Sequence, residues 1–246
     1  GLAIATPSLE RCWSALVSAL EGTPDAERNV QVLCGFLGKV HGRDRSLFER
    51  FMDDAMSRPA LVRWVPGLQL SAPLDDRACD RLLASMNNPD VPAWVFQYLG
   101  YGRASAPVPD VRLAELLERL SIKPDGPAVA LDILHMHFFG EDIEATPPLI
   151  ACARALIARA PVSQRSHGLD HALGGLIKLF LKGDAARPAG QELMGRLREA
   201  LADYKVSRYD VNDTLKALFA TQPLLALDTL IGDGDDGDGY ARRSDL

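Results

Sequence analysis

The sequence predicts an all-α protein built from stacked helical hairpins, and three observations carry that expectation. The chain repeats itself: Pro89-Asp90-Val91-Pro92-Ala93 returns as Pro124-Asp125-Gly126-Pro127-Ala128, and Asp76…Leu82-Leu83 returns as Asp110…Leu116-Leu117, at offsets of 35 and 34 residues. A period of that size marks helix pairs that bury their apolar faces only against neighbouring pairs. Apolar residues also recur at helical spacing in segment after segment, with no alternating stretch long enough for a strand. Leu and Ala are abundant while aromatics make up 7% of the chain, a composition that favours helices.

The elements follow in order. Leu9, Cys12, Trp13, Leu16, Val17 and Leu20 lie on one helical face behind Thr6-Pro7. Thr23-Pro24 and Thr146-Pro147 offer the same kind of start, a threonine to cap free amides and a proline at the first helical position. Val30, Leu33, Phe36, Leu37 and Val40 mark a second helix, and Leu47, Phe48, Phe51, Met52 and Met56 a third. Arg58-Pro59 ends the third, and a short turn over residues 61–65 closes at Pro66-Gly67. The copied pairs are 75–86 with 92–101 and 110–120 with 127–139. A further pair is expected at 147–160 and 168–181, then helices at 188–204, 211–220 and 223–230.

The hairpins start near 75, 109, 147 and 188, so their spacings are 34, 38 and 41 residues. In this loose period and hairpin pattern, over roughly residues 70–220, the chain resembles HEAT-like α-solenoids. The tetratricopeptide pattern does not fit, since its aromatic and small-residue positions are missing. The resemblance implies a right-handed stack of about six irregular hairpins that presents a groove to a partner, and it implies no catalytic residue. The expected organisation is one helical-repeat domain over residues 1–231 and an acidic Gly/Asp-rich linker and tail over 232–246. That tail superficially matches a calcium loop, but counting from Asp233 places Gly237 at position 5, Asp238 at 6 and Ser244 at 12, which breaks the pattern.

Charge and cysteine usage narrow the function classes. The net charge is −6, which argues against a phosphate-gripping protein. Six of the 27 cationic residues are Lys and the rest Arg, a bias compatible with protein contacts and equally with a GC-rich coding genome. Cys12, Cys34, Cys79 and Cys152 are far apart and form no Cys-x-x-Cys pair, as in a reduced, cytoplasmic chain. Neither a signal peptide nor an apolar run long enough to span a membrane is visible. A first residue that is Gly rather than Met suggests a processed product or a piece of a longer protein.

Two constellations stand out. Trp94, Tyr98 and Tyr101, at i, i+4 and i+7, share one face of the expected helix, and Arg103 follows them. This is where a partner-binding hot spot is expected, although core packing explains the same pattern. The other is histidine. His167 and His171 are four apart with Asp170 between them, and His135 and His137 are two apart with Glu141 and Asp142 just beyond. Were the two segments neighbours, a His/carboxylate metal site could form and activate a water. Against it, Ser166 is a plausible N-cap that puts His167 in a frayed first turn. Asp170 near that helix start is explained by the helix dipole. His135 and His137 lie about 200° apart around a helix.

No nucleophile elbow, phosphate loop or dinucleotide fingerprint is present, and Gly35…Gly38 and Gly174-Gly175 read as sites of close helix approach. The expected function is therefore a non-catalytic interaction or scaffold region, the sensor or regulatory part of a multidomain protein. Its partner is another protein or another domain of the same polypeptide, and no cofactor is expected. Two alternatives stay open. One is a metal-dependent hydrolase using His135, His137, His167 and His171. The other is a HEAT-like nucleic-acid binder, resembling alkylpurine DNA glycosylases, which would need Arg63, Arg103, Arg154 and Arg198 gathered on a basic face.

Overall fold

Helix follows helix in the computed structural model, which describes residues 8–140, 144–162 and 167–232, and no strand occurs among those residues. The protein is all-α. Its contacts divide it into two units, Gly1–Val108 and Pro109–Leu246, with the boundary inside the stretch expected to be a single repeat domain. Thr6-Pro7, Glu141, Asp142, Ser166 and the acidic run from Asp233 onward lie outside the described residues.

The first unit contains α1 (Leu9–Glu21), α2 (Gln31–Arg43), α3 (Arg45–Ser57), two short helices α4 (Pro59–Val62) and α5 (Val65–Gln69), and α6 (Asp76–Asn87). Side-chain oxygens start three of these. Ser8 accepts from the Arg11 amide, Asp44 from Leu47 and Asp75 from Ala78, each relieving one orphan donor of a first turn. Thr23-Pro24 does not start the second α-helix, which begins at Gln31. The Thr23 hydroxyl bonds back to the Ala19 carbonyl at 2.8 Å, which closes α1, and a 3-10 turn at Asp25–Glu27 intervenes before α2.

The core of this unit is a layered cluster. Trp13 stacks on Phe51 with ring centroids 4.7 Å apart, and Phe36 stacks on the same ring. Leu33, Leu37, Val40, Phe48, Met52, Leu61 and Leu68 fill the remainder. Arg81, only 6% exposed, ties α6 to α3. Its guanidinium meets Asp53 at 2.7 and 3.0 Å and also bonds Glu49.

The first copied pair departs from expectation. Its second element, over Ala93–Arg103, is a 3-10 run and not an α-helix. Trp94, Val95, Phe96, Tyr98 and Tyr101 are aromatic or β-branched, and Gly100 and Gly102 lie among them, so α-helical propensity is low. The run bends at Tyr101 and passes through left-handed backbone at Gly102 and Arg103.

The second unit contains α7 (Asp110–Ser121), α8 (Gly126–Phe138), α9 (Pro147–Ala158), α10 (His167–Phe180), α11 (Arg187–Ala202), α12 (Asn212–Thr221) and α13 (Pro223–Ala226), which runs into a π-turn at Leu227–Ile231. The boundaries match the expected starts near 109, 147 and 188 within a residue or two. The helices form two rows: α7 meets α9 and α9 meets α11, while α8 meets α10 and α10 meets α12. Arginines tie α9 to α10 across the rows and α11 to α9 along one of them. Arg154 Nε donates to the Phe180 carbonyl at 3.1 Å, and Arg196 Nη1 to the Ala158 carbonyl at 3.0 Å. Both carbonyls end helices, where a carbonyl has no intrahelical N–H donor and the helix end carries partial negative charge.

The copied turn explains why the second copy folds as a hairpin. A Cβ on Gly126 would lie 1.9 Å from the Leu120 carbonyl oxygen, so only glycine lets α8 return this closely against the end of α7. The residue before it, Asp125, takes the left-handed conformation. In the first copy the equivalent of Gly126 is Val91, fully buried, and the close turn is closed to it.

Candidate functional site

The aromatic face expected at Trp94, Tyr98 and Tyr101 divides in two. At three residues per turn, positions 98 and 101 eclipse while 94 points a third of a turn away. Tyr98 and Tyr101 accordingly pair edge to face, with ring centroids 5.8 Å apart. Trp94 turns elsewhere and meets Trp64 at 6.1 Å and 76°. Ala93, Phe96 and Leu99, also three apart, are the buried side of the run. Trp94 and Tyr101 remain 39% and 51% exposed. Arg103 is exposed beside them.

The cation on the tryptophans is Arg63, and sequence reading assigned it no such role. Its guanidinium carbon lies 5.6 Å from the centroids of both Trp64 and Trp94, a cation–π contact with two faces. Arg63 Nη1 also donates to Asp25 Oδ2 at 3.0 Å, and Asp25 Oδ1 is taken by Arg28. Arg63 Nε and Trp64 Nε1 are buried with no hydrogen-bond acceptor. The cluster draws on the 3-10 turn, the α4–α5 link and the 3-10 run, more than 25 residues apart in sequence. No periodicity argument could have joined them. The only local signal was an Arg-Trp pair in a Pro-flanked turn.

The histidines meet in part. His135 on α8 and His171 on α10 pack edge to face with centroids 5.5 Å apart. His171 Nδ1 lies 3.3 Å from Asp213 Oδ2. The His135 ring sits over Gly175, where a Cβ would come within 3.0 Å of its Nε2. Burial, and then the neighbouring His171, pull the His135 pKa below its ordinary value, while burial pushes Asp132 on the same helix above the usual carboxylate range. His137 points elsewhere, 6% exposed and edge-on to Phe138. The side chain of His167 lies outside the described part.

Asp170 has a different role from the one its own helix suggests. Its two oxygens accept from the Asp213 and Thr214 amides of α12, both at 2.9 Å. It caps a helix 40 residues away, and Gly174 allows that approach, since a Cβ there would lie 2.9 Å from the Asp213 carbonyl oxygen. Each of its oxygens is thereby engaged by a backbone amide. No group of three or more His, Cys, Asp or Glu among the described residues is arranged to hold a metal ion.

The arginines singled out for a basic face have assorted tasks. Arg154 holds helix-end carbonyls, Arg198 Nη1 reaches the Thr229 carbonyl at 3.5 Å, and Arg63 sits on indoles. None of the four cysteines is in a disulfide, and burial, then the charge of Glu118, drives the Cys152 thiol up to about 12, away from the reactive thiolate form. Among the described residues no helix is long and apolar enough to cross a membrane. Comparison with protein-family models, curated proteins and solved structures finds no match to this chain.

Proposed function

We propose that this chain is a non-catalytic helical-repeat region of HEAT-like hairpins stacked as an α-solenoid, which binds another protein or another domain of its own polypeptide. The observation that carries the reading is the exposed Trp, Tyr and Arg on and beside Ala93–Arg103: Trp94, Tyr101 and Arg103, with Arg63 against the indoles. Trp, Tyr and Arg dominate the energetics of protein interfaces. The left-handed Arg103 adds backbone strain beside them, a feature that clusters at functional sites. The two-row stacking of α7 to α12 supports the repeat part of the reading.

The test is capture of partners by the purified chain, followed by affinity measurement against the identified partner. Trp94→Ala, Tyr101→Ala and Arg103→Ala each remain folded, and at least one weakens binding by about tenfold or more. If all three folded variants bind like the parent, this face is not the interface.

A further inference from the structure

The Arg63 cluster is unbalanced in two ways. It holds more hydrogen-bond donors than acceptors, since a guanidinium and an indole N–H only donate, and Arg63 Nε and Trp64 Nε1 are buried without acceptors. Most buried donors in folded proteins are paired, and leaving one unpaired is costly. It also holds more positive than negative charge: Arg28 and Arg63 share the single carboxylate of Asp25. Asp25 uses Arg63 Nη1, which leaves the Nε side of the guanidinium without a partner. Trp64 is half-buried, whereas Trp94 is the more exposed indole of the pair and forms its outer side.

We propose that the Arg63–Trp64–Trp94 cluster docks a carboxylate from an acidic segment of a partner protein, which enters as the Trp94 indole swings aside and accepts from Arg63 Nε and Trp64 Nε1. The proposal rests on the protein-interaction reading above and specifies the chemistry of the partner. A carboxylate supplies the missing acceptors and the missing negative charge together. A neutral carbonyl supplies only the former. Phosphates of a nucleic acid would supply both, but a nucleic acid is gripped through many phosphates along a basic face, and this cluster offers two cations, Arg28 and Arg63, in a chain of net charge −6. Trp94 then serves as the outer wall, closing over the ion pair and shielding it from water, which strengthens the contact.

The experiment uses the full chain and fluorescein-labelled peptides, read by anisotropy: acetylated hexaglutamate, the matching hexaglutamine, and a labelled oligothymidylate. Hexaglutamate binds saturably and more weakly as salt rises, and hexaglutamine does not bind. Trp64→Phe keeps an aromatic ring and removes one donor; Arg63→Lys keeps the charge and removes Nε. Each lowers hexaglutamate affinity by about tenfold or more. Trp64→Phe does so with a melting temperature no lower than the parent's, because it deletes a donor that had no acceptor.

Hexaglutamate failing to bind, binding no better than hexaglutamine, or binding equally to both variants overturns the proposal. So does tighter binding of the oligothymidylate, which would assign the cluster to nucleic acid. If the peptide fails while Trp94→Ala still abolishes capture of the natural partner, the interaction reading stands and only the carboxylate assignment falls.

Discussion

The two units fold the same kind of sequence to different ends. In Pro109–Leu246 the helices keep to two rows, and α7 packs on α8 and α9 on α10 across them. In Gly1–Val108 the long helices are interrupted by two pieces of four and five residues, and a 3-10 run stands where a helix was expected. The second unit uses polar side chains to hold helix ends. Asp170 caps α12, and Arg154 and Arg196 satisfy helix-end carbonyls. The first leaves Arg63 Nε and Trp64 Nε1 unsatisfied and Trp94 and Tyr101 exposed. Ties of this kind occur in the first unit too, Arg81 on Asp53 and Arg58 on Asp54 among them; what sets it apart is an arginine with an unpaired Nε gathered against two indoles. Local departures from a consistent pattern are where function is expected.

The sharpest way to break that comparison is at the copied turn. Gly126→Ala forces a methyl group into the Leu120 carbonyl and destabilises the protein by about 3 kcal/mol or more, measured by urea unfolding followed by circular dichroism. Val91→Gly, the reciprocal change, does not turn the first copy into the second. It removes a buried side chain and costs about 2 kcal/mol or more. A neutral Gly126→Ala would mean the tight turn is not what separates the copies.

Asp170→Ala comes next. It strips two amides of α12 of their acceptor, and a loss of about 1–2 kcal/mol is expected. Asp170→Asn, which keeps one acceptor, costs less. If Asp170 served a metal instead, both substitutions would leave apo stability unchanged.

Acid sharpens the contrast further, with a smaller effect. His135 has a lowered pKa in the folded chain, so the unfolded chain binds its proton first. Stability from this group is therefore lost as pH falls below about 6.5. Asp54 in the first unit goes the other way in range. Burial opposes its ionisation, but hydrogen bonds from Arg58 and the Trp13 indole outweigh burial and lower its pKa. Its contribution persists at pH 5 and is lost only as pH falls below about 3.9. All three tryptophans, Trp13, Trp64 and Trp94, lie in the first unit, so their fluorescence follows that unit while circular dichroism follows both. Between pH 7 and 5 the dichroism midpoint in urea falls more than the fluorescence midpoint, and His135→Asn removes the difference. Parallel midpoints would assign the acid sensitivity elsewhere.

The helical class and the hairpin starts of the second unit were legible because apolar periodicity is a local property, and Thr146-Pro147 marks its helix where it stands. The 3-10 run was not, because Trp94, Tyr98 and Tyr101 fit an α-helical face by count, and only three-residue turns reveal the split. Propensity gave a hint in Gly100 and Gly102 that spacing overrode. Arg63 and Asp25 were out of reach because their partnership is tertiary. So was the target of Asp170. A carboxylate near a helix start looks local until a second helix, admitted by Gly174, presents its own amides. Matching residues at offsets of 34 and 35 do not by themselves fix the backbone, since the mismatch of Val91 with Gly126 separates how the two stretches fold.

The division of labour between the units reduces to one comparison of two folded variants against the captured partner. Trp94→Ala alters the exposed indole of the first unit, and His171→Ala an exposed imidazole of the second. The affinity for the partner falls by about tenfold or more in Trp94→Ala and is unchanged in His171→Ala. Loss of binding in His171→Ala with full binding in Trp94→Ala would place recognition on the regular rows and contradict the account.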